Sequence, residues 1–390
     1  MQKKIFDSVH GFIRFNEIEN ALIDSAPFQR LHSLHQLGIA YLVYPGATHT
    51  RFEHSLGAME LTSQIIKRLS EKFDIPDKEY WTQVLRLAAL CHDLGHLPFS
   101  HVAERYILGK GGHEKWTYEI IHSSHLAPVW RMLPKPTAAL DIAKMAIGES
   151  KMQEFAPEIL FSPLERVLSQ VITGDFFGAD RIDYLLRDSA STGVSHGLFD
   201  YHQLIEMLCL LPKGEELQLG IEENGIQSCE ALLLARYFMH KRVYQYPSVK
   251  AYSFHLAQCM KTLHFNNMEE YLDLTDNEVL IAVKKEAGKN PHATALFNRK
   301  LRFKAVPLPE DFLKEKCDSL AIPEEAIGWE LSEKKKKMLR LSFPVLKRNG
   351  SIVDASRCSE ILIPLDSVSW AFVAPEYENV LHNALDGRYN

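Results

Sequence analysis

The sequence lacks several of the signals that sort a protein quickly. Its six cysteines (Cys91, Cys209, Cys229, Cys259, Cys317 and Cys358) include no CxxC spacing, which argues against a zinc ribbon or a disulfide framework. No apolar run approaches the roughly 18 residues that a membrane helix needs, and the opening MQKKIFDSVHGF has no long apolar stretch of the secretory kind. A cytoplasmic protein without a membrane span is expected. Positive charge is not in excess either: 44 Lys and Arg against 50 Asp and Glu leave a formal net charge of −6. That balance provides no basic footprint for nucleic acid, although local patches would still serve. An anionic ligand has to be met by a local cluster of Arg, Lys, His or metal. Internal repeats are absent.

What is present is an ordinary globular composition, 46% hydrophobic and 24% charged over 390 residues, enough for one large domain or a large and a smaller one. Ten of the 18 histidines fall between His32 and His125, which places the chemistry in the N-terminal part. Helical periodicity dominates to about residue 270: Leu56, Met59, Ile66 and Leu69 in one stretch, then Val84, Leu87, Ala88 and Cys91 in the next. Further helices are expected near 165–173, 179–190, 200–210, 226–245 and 249–264, with PKGEELQLGIEENG as a hairpin or loop. After a helix near 276–288 the pattern turns to short β-branched runs, LRLSFPVL, SEILIPL and VSWAFVAP. The expected fold is therefore mainly α: a helical core over 1–270 and a smaller C-terminal α+β region over 271–390, serving oligomerisation or regulation. The run Lys334–Lys337 reads as a solvated face.

The stretch CHDLGHLPFSH packs three histidines and an aspartate into eleven residues beside an apolar helix face. A buried Asp is costly unless paired, hydrogen-bonded or bound to a cation. Adjacent helical residues diverge by about 100°, so His92 and Asp93 can share an ion only at a helix end, with help from other helices. His54 in TRFEHSLG and Asp180 in GDFFGADRIDYLLRDSAST are candidates for that help. Asp180, Tyr184 and Asp188 stand at i, i+4 and i+8 on one helical face, which reads equally well as a functional edge or as a satisfied polar stripe. Cys91 beside His92 is read as a buried structural thiol rather than a ligand. Two imidazoles and two carboxylates suit a divalent ion such as Mn, Fe, Zn, Ni or Mg, with open positions for water and phosphate oxygen.

The order H…HD…D, with RFEHSLG and CHDLGHLPFSH, closely resembles the HD-domain phosphohydrolases, and within them the branch that hydrolyses deoxynucleoside triphosphates (dNTPs). The resemblance runs from about residue 5 to 255 and includes no SAM domain. It implies an HD-domain helical core and a metal held by His54, His92, Asp93 and Asp180. It further implies His101 as general acid toward the leaving oxygen, a role that suits imidazole chemistry, with His113 binding phosphate or assisting proton transfer. His96 lines the site, and Glu104 stands where the family has an aspartate that orients the acid. Arg51, Arg181 and Arg236 are the implied phosphate cations, since a guanidinium can hold two oxygens at once. Gln36, Leu37, Tyr184, Asp188 and Tyr244 are the implied nucleoside contacts. Of these, Gln36 and Asp188 take the sugar 3′-hydroxyl and Tyr244 disfavours a 2′-hydroxyl.

The implied activity is metal-dependent hydrolysis of a dNTP to deoxynucleoside and inorganic triphosphate, by a homo-oligomer, dimer or tetramer, with an allosteric nucleotide as a further partner. Departures bear on that regulation: His32 replaces an arginine that contacts a guanine-specific activator and Asp7 replaces an asparagine, while Asp24 remains. The guanine-nucleotide switch is therefore expected to be altered or absent. Two other readings stay open at this point. One is an HD-type phosphohydrolase acting on another nucleotide or a nucleic-acid end; the other is a nucleotide-binding regulator with little turnover.

Overall fold

The computed structural model describes residues 3–386 except 103, 214–215, 310–319, 321, 332–336, 341, 360 and 366–367. The Lys334–Lys337 run lies outside them apart from the backbone of its last residue.

Helices build the core because their apolar residues recur on one face. The longest, Arg51–Lys72, buries Leu56, Met59, Ile66 and Leu69, and Lys78–Cys91 buries Val84, Leu87, Ala88 and Cys91. These two pack together; Ala179–Thr192 lies against the first and Ala138–Ile147 against the second, with Pro163–Thr173 behind. Pro163–Thr173 starts where the sequence says it should: Ser162 and Glu165 form a reciprocal capping box and Pro163 occupies the first position. Their buried faces meet in one large core. An antiparallel strand pair, Lys3–Asp7 with Gly11–Phe15, precedes them.

The mainly α expectation holds, and two local ones change. The helix expected over 200–210 ends at Glu206, and Leu208–Lys213 instead pairs antiparallel with Glu216–Glu222. A short apolar run such as LCLL fits helix or strand equally, and the facing partner decided it. The helix expected over 226–245 is α-helical only for Ile226–Met239 and widens into a π turn over His240–Tyr244 before Pro247–Met260 begins. π turns of this kind are frequent at functional sites; this one carries Tyr244.

Two sheets help tie the C-terminal region to the core. Glu216–Glu222 pairs in parallel with Pro344–Leu346, which pairs with Ile352–Asp354, so one sheet crosses the 270/271 division. Ser369–Val373 is the central strand between Lys304–Leu308 and Ile327–Glu330. That sheet rests on the Pro247–Met260 helix, with Phe372 stacked on Phe254 at 4.1 Å. Among the described residues no helix is long and apolar enough to cross a membrane.

Candidate functional site

Two glycines let the site assemble. Gly57 lies one turn beyond His54, and a Cβ there would stand 1.9 Å from Asp183 Oδ1, so only glycine lets Ala179–Thr192 come close enough to present Asp180. Gly95 follows the HD pair, and a Cβ there would stand 2.1 Å from His113 O and 2.3 Å from Thr117 N. The chain leaving Lys78–Cys91 is thus pressed against the Gly112–Ile121 helix that carries His113.

His54, His92 and Asp180 offer ligand atoms that all lie within 4.8 Å of one another. His54 Nε2 is 3.1 Å from both His92 Nε2 and Asp180 Oδ1. The second ring nitrogens determine what these atoms are. His92 Nδ1 is 2.7 Å from the Ala89 carbonyl and His54 Nδ1 is 2.7 Å from Asp183 Oδ2, and both partners can only accept. Each Nδ1 therefore carries the proton, and the neutral rings turn two lone pairs toward each other. Two buried lone pairs 3.1 Å apart repel unless a cation lies between them, so the donor set fits a divalent metal. Without one, a proton takes its place: burial opposes charging His54, but its bonds to Asp180 and Asp183 outweigh this and raise it to about 10.

Asp93 lies beside this group rather than wholly within it. Its Oδ2 is 3.6 Å from His54 Nε2 and its Oδ1 is 3.4 Å from His92 Nε2. It also accepts from Arg51 Nη1 and lies 3.2 Å from His96 Nε2. Burial opposes its charge, yet Arg51, His92 and His96 hold its carboxyl well below the usual range.

A second cluster adjoins the first through Asp93: His96, His101, Glu104 and His113 also bring polar atoms within 4.8 Å of one another. Glu104 is its hub. One oxygen meets His101 Nδ1 at 2.6 Å; the other meets His113 Nδ1 at 2.7 Å and accepts from the His113 backbone N–H at 2.8 Å. Although partly buried, its carboxyl is held far below its ordinary range by these two histidines. His113 stacks on His96 at 3.7 Å, and burial, then Arg51 and His113, keep His96 neutral. Phe99 and Ser100 both adopt left-handed backbone, φ 58° and 59°, a strain typical of functional turns. Asp276 holds the first by accepting from Phe99 N–H at 2.7 Å, and Ser100 Oγ accepts from Arg51 Nη2 at 2.6 Å. His101 emerges from this turn largely exposed.

The remaining expected residues surround these clusters. Arg51 is buried and committed to Asp93 and Ser100. Arg181 reaches Asp175 at 3.1 Å and Tyr184 Oη at 3.3 Å, but its Nε is buried without a partner. Arg236 Nη1 and Gln36 Oε1 are likewise buried and unpartnered. Burial and then the charge of Arg181 lower the pKa of Arg236. Asp188 accepts from Tyr244 Oη at 2.7 Å and meets His49 Nε2 at 2.7 Å. Gln36, Leu37, Tyr244 and His101 line one cavity of about 300 Å³. Cys91 is fully buried and its thiol is pushed up by burial, so it packs as a neutral group.

Sequence reasoning missed Asp183 and His49. Asp183 is fully buried and accepts from His54 Nδ1 and His10 Nε2, each at 2.7 Å, and from Arg187. Its signal was its place one turn after Asp180, on the side facing RFEHSLG. The departure at Asp7 also has a structural role, since its carboxylate takes Arg187 Nη1 at 2.8 Å.

The family model described as HD domain matches residues 51–163, and that described as HD associated region matches residues 199–331. A hypothetical protein from Aquifex aeolicus has a solved structure with TM-score 0.80 and 30% identity, covering 99% of this chain and 100% of that one. The chain belongs to the HD-domain phosphohydrolase superfamily. An uncharacterized protein of Methanocaldococcus jannaschii is 35% identical over 250 residues, 64% of this chain and 47% of that protein. The deoxynucleoside triphosphate triphosphohydrolase SAMHD1 of Homo sapiens is 29% identical over 292 residues, 70% of this chain and 46% of that protein. This HD-domain chain thus spans about half the length of these two relatives. A phosphohydrolase from Bacteroides thetaiotaomicron shares the fold, with TM-score 0.73 and 24% identity over 96% of this chain and all of that one.

Proposed function

We propose that this HD-domain chain hydrolyses dNTPs to deoxynucleoside and inorganic triphosphate. The observation that carries the reading is a set of buried polar atoms without partners, Arg181 Nε, Arg236 Nη1 and Gln36 Oε1, around the two histidine and carboxylate clusters. Buried groups of this kind are rarely left unpaired, and two guanidinium groups with unpartnered nitrogens fit a polyanion. Similarity to a deoxynucleoside triphosphate triphosphohydrolase supports the same substrate.

His54, His92, Asp180 and Asp93 would hold a divalent metal, which would supply Lewis-acid polarisation of phosphate and a more acidic water. Arg181 and Arg236 neutralise the phosphate oxygens. As water attacks Pα, the Pα–O5′ bond breaks, and His101, held through Nδ1 by Glu104, gives the Nε2 proton to the departing O5′. Gln36 and Asp188 orient the sugar, while Tyr244, pinned on Asp188, closes the space beside C2′.

The test is product analysis with each dNTP and each ribonucleotide under Mn²⁺, Mg²⁺ and other divalent ions. Deoxynucleoside with intact triphosphate is expected. Release of pyrophosphate with the monophosphate, equal use of ribonucleotides, or bound but unchanged nucleotide in every metal form refutes the reading.

A further inference from the structure

The cavity that holds Gln36, Leu37, Tyr244 and His101 extends beyond them. Its wall continues through Gln245 and along one face of the Pro247–Met260 helix, at Lys250, Ser253, Phe254 and Ala257, and includes Glu330 of the C-terminal region. About 300 Å³ is at the size where small-molecule sites begin. His101 marks the reacting end, so Gln245, Lys250 and Glu330 add polar groups beyond those that phosphate and sugar require.

Their chemistry is directional. Gln245 Oε1 accepts from Trp370 Nε1 at 2.9 Å, and an indole nitrogen can only donate. The amide is therefore oriented with its oxygen committed, and its NH₂ is the end offered to a ligand. Lys250 Nζ lies 2.6 Å from Glu330 Oε1, which fixes an ammonium with three donors at the wall. Glu330 is delivered by the strand Ile327–Glu330, whose sheet is clamped on the same helix: a Cβ at Gly328 would stand 2.3 Å from Phe254 Cζ. Trp370 comes from the central strand of that sheet. The C-terminal region thus orients both donor-bearing side chains.

We propose that Gln245 and Lys250, positioned by Trp370 and Glu330, read the nucleobase and favour the keto bases guanine and thymine over adenine and cytosine. Guanine offers acceptors at O6 and N7 and thymine one at O4, whereas adenine and cytosine place an amino donor at the corresponding position. Two donors facing an acceptor are satisfied; the same donors facing an amino group are not. This inference rests on the dNTP reading of the site.

The test is equilibrium binding to the full chain of the four dNTP analogues in which a methylene replaces O5′, the leaving atom, beside competitive turnover of the four natural dNTPs. On the scale of one good base contact, the dGTP and dTTP analogues are expected to bind roughly tenfold tighter than the other two. Lys250→Met and Gln245→Leu should each shrink that ratio while leaving the weaker pair's affinity in place. Glu330→Gln, which loosens Lys250 without removing it, should shrink it less. Equal affinities in the wild-type chain, or an unchanged ratio in both Lys250→Met and Gln245→Leu, overturns the base-reading role even when dNTP turnover is intact. Absence of binding and turnover with all four nucleotides overturns the dNTP reading and this inference together.

Discussion

Asp183→Asn is the most informative perturbation of the metal centre, because it alters a group that touches no ligand atom. The Asp183 carboxylate has all its acceptor positions in use: Oδ2 takes His54 Nδ1 at 2.7 Å and Arg187 Nε at 2.9 Å, and Oδ1 takes His10 Nε2 at 2.7 Å and Arg187 Nη2 at 3.0 Å. An amide of the same shape turns one of those oxygens into a donor facing two donors. If it faces His54, the imidazole loses the bond that keeps its proton on Nδ1 and its lone pair on Nε2. Loss of such an outer partner weakens metal binding by roughly 10- to 100-fold. Removing one of the two buried carboxylates that face Arg187 leaves it on Asp7 alone and costs at most about 3–5 kcal/mol of stability. Metal per chain, measured by elemental analysis across a series of buffered free-metal concentrations, reads the first effect; urea unfolding reads the second. A variant that unfolds earlier but binds metal with wild-type affinity refutes the orienting role. Wild-type behaviour in both measurements refutes the account of Asp183 altogether.

Glu104→Gln should separate the two clusters, cutting turnover by roughly 10²-fold or more while metal content, read by the same elemental analysis, stays at the wild-type level. Gly95→Ala forces the HD turn away from the His113 carbonyl and should cost about 1–3 kcal/mol, seen as a lower urea midpoint; an unchanged midpoint contradicts the close approach. His255 is buried against His292, and burial, then His292 and Arg302, lower it to about 3 from an ordinary 6.5. Between those values the unfolded chain binds a proton that the folded chain refuses. Its contribution is therefore fully present above pH 6.5 and declines as pH falls, by about 1.4 kcal/mol per pH unit. His255→Leu should flatten the slope of stability against pH in that window, whatever its effect at pH 7; an identical slope refutes the assignment.

The sequence by itself determined the periodic helices and the short motif strings. Apolar spacing within Arg51–Lys72 and Lys78–Cys91 is a local property, and RFEHSLG and CHDLGHLPFSH carry their chemistry in contiguous residues. Those two strings, with the string around Asp180, were enough to name His54, His92 and Asp180, which the fold then brought together. What lies far apart along the chain was not legible. Nothing near LCLL says that ELQLGIE will face it, and nothing near His54 says that Asp183 will accept its Nδ1–H from 129 positions away. Glu104 could be read only as a longer substitute for an aspartate that orients one histidine. Tertiary packing decided that its extra reach spans two, His101 and His113, because Gly95 lets their segments meet. The same holds for Gln245 and Lys250, whose orientation depends on Trp370 and Glu330 from the last quarter of the chain. Ligand type is written in local residue identity, whereas tautomer, donor direction and charge depend on long-range partners that exist only once the core has closed.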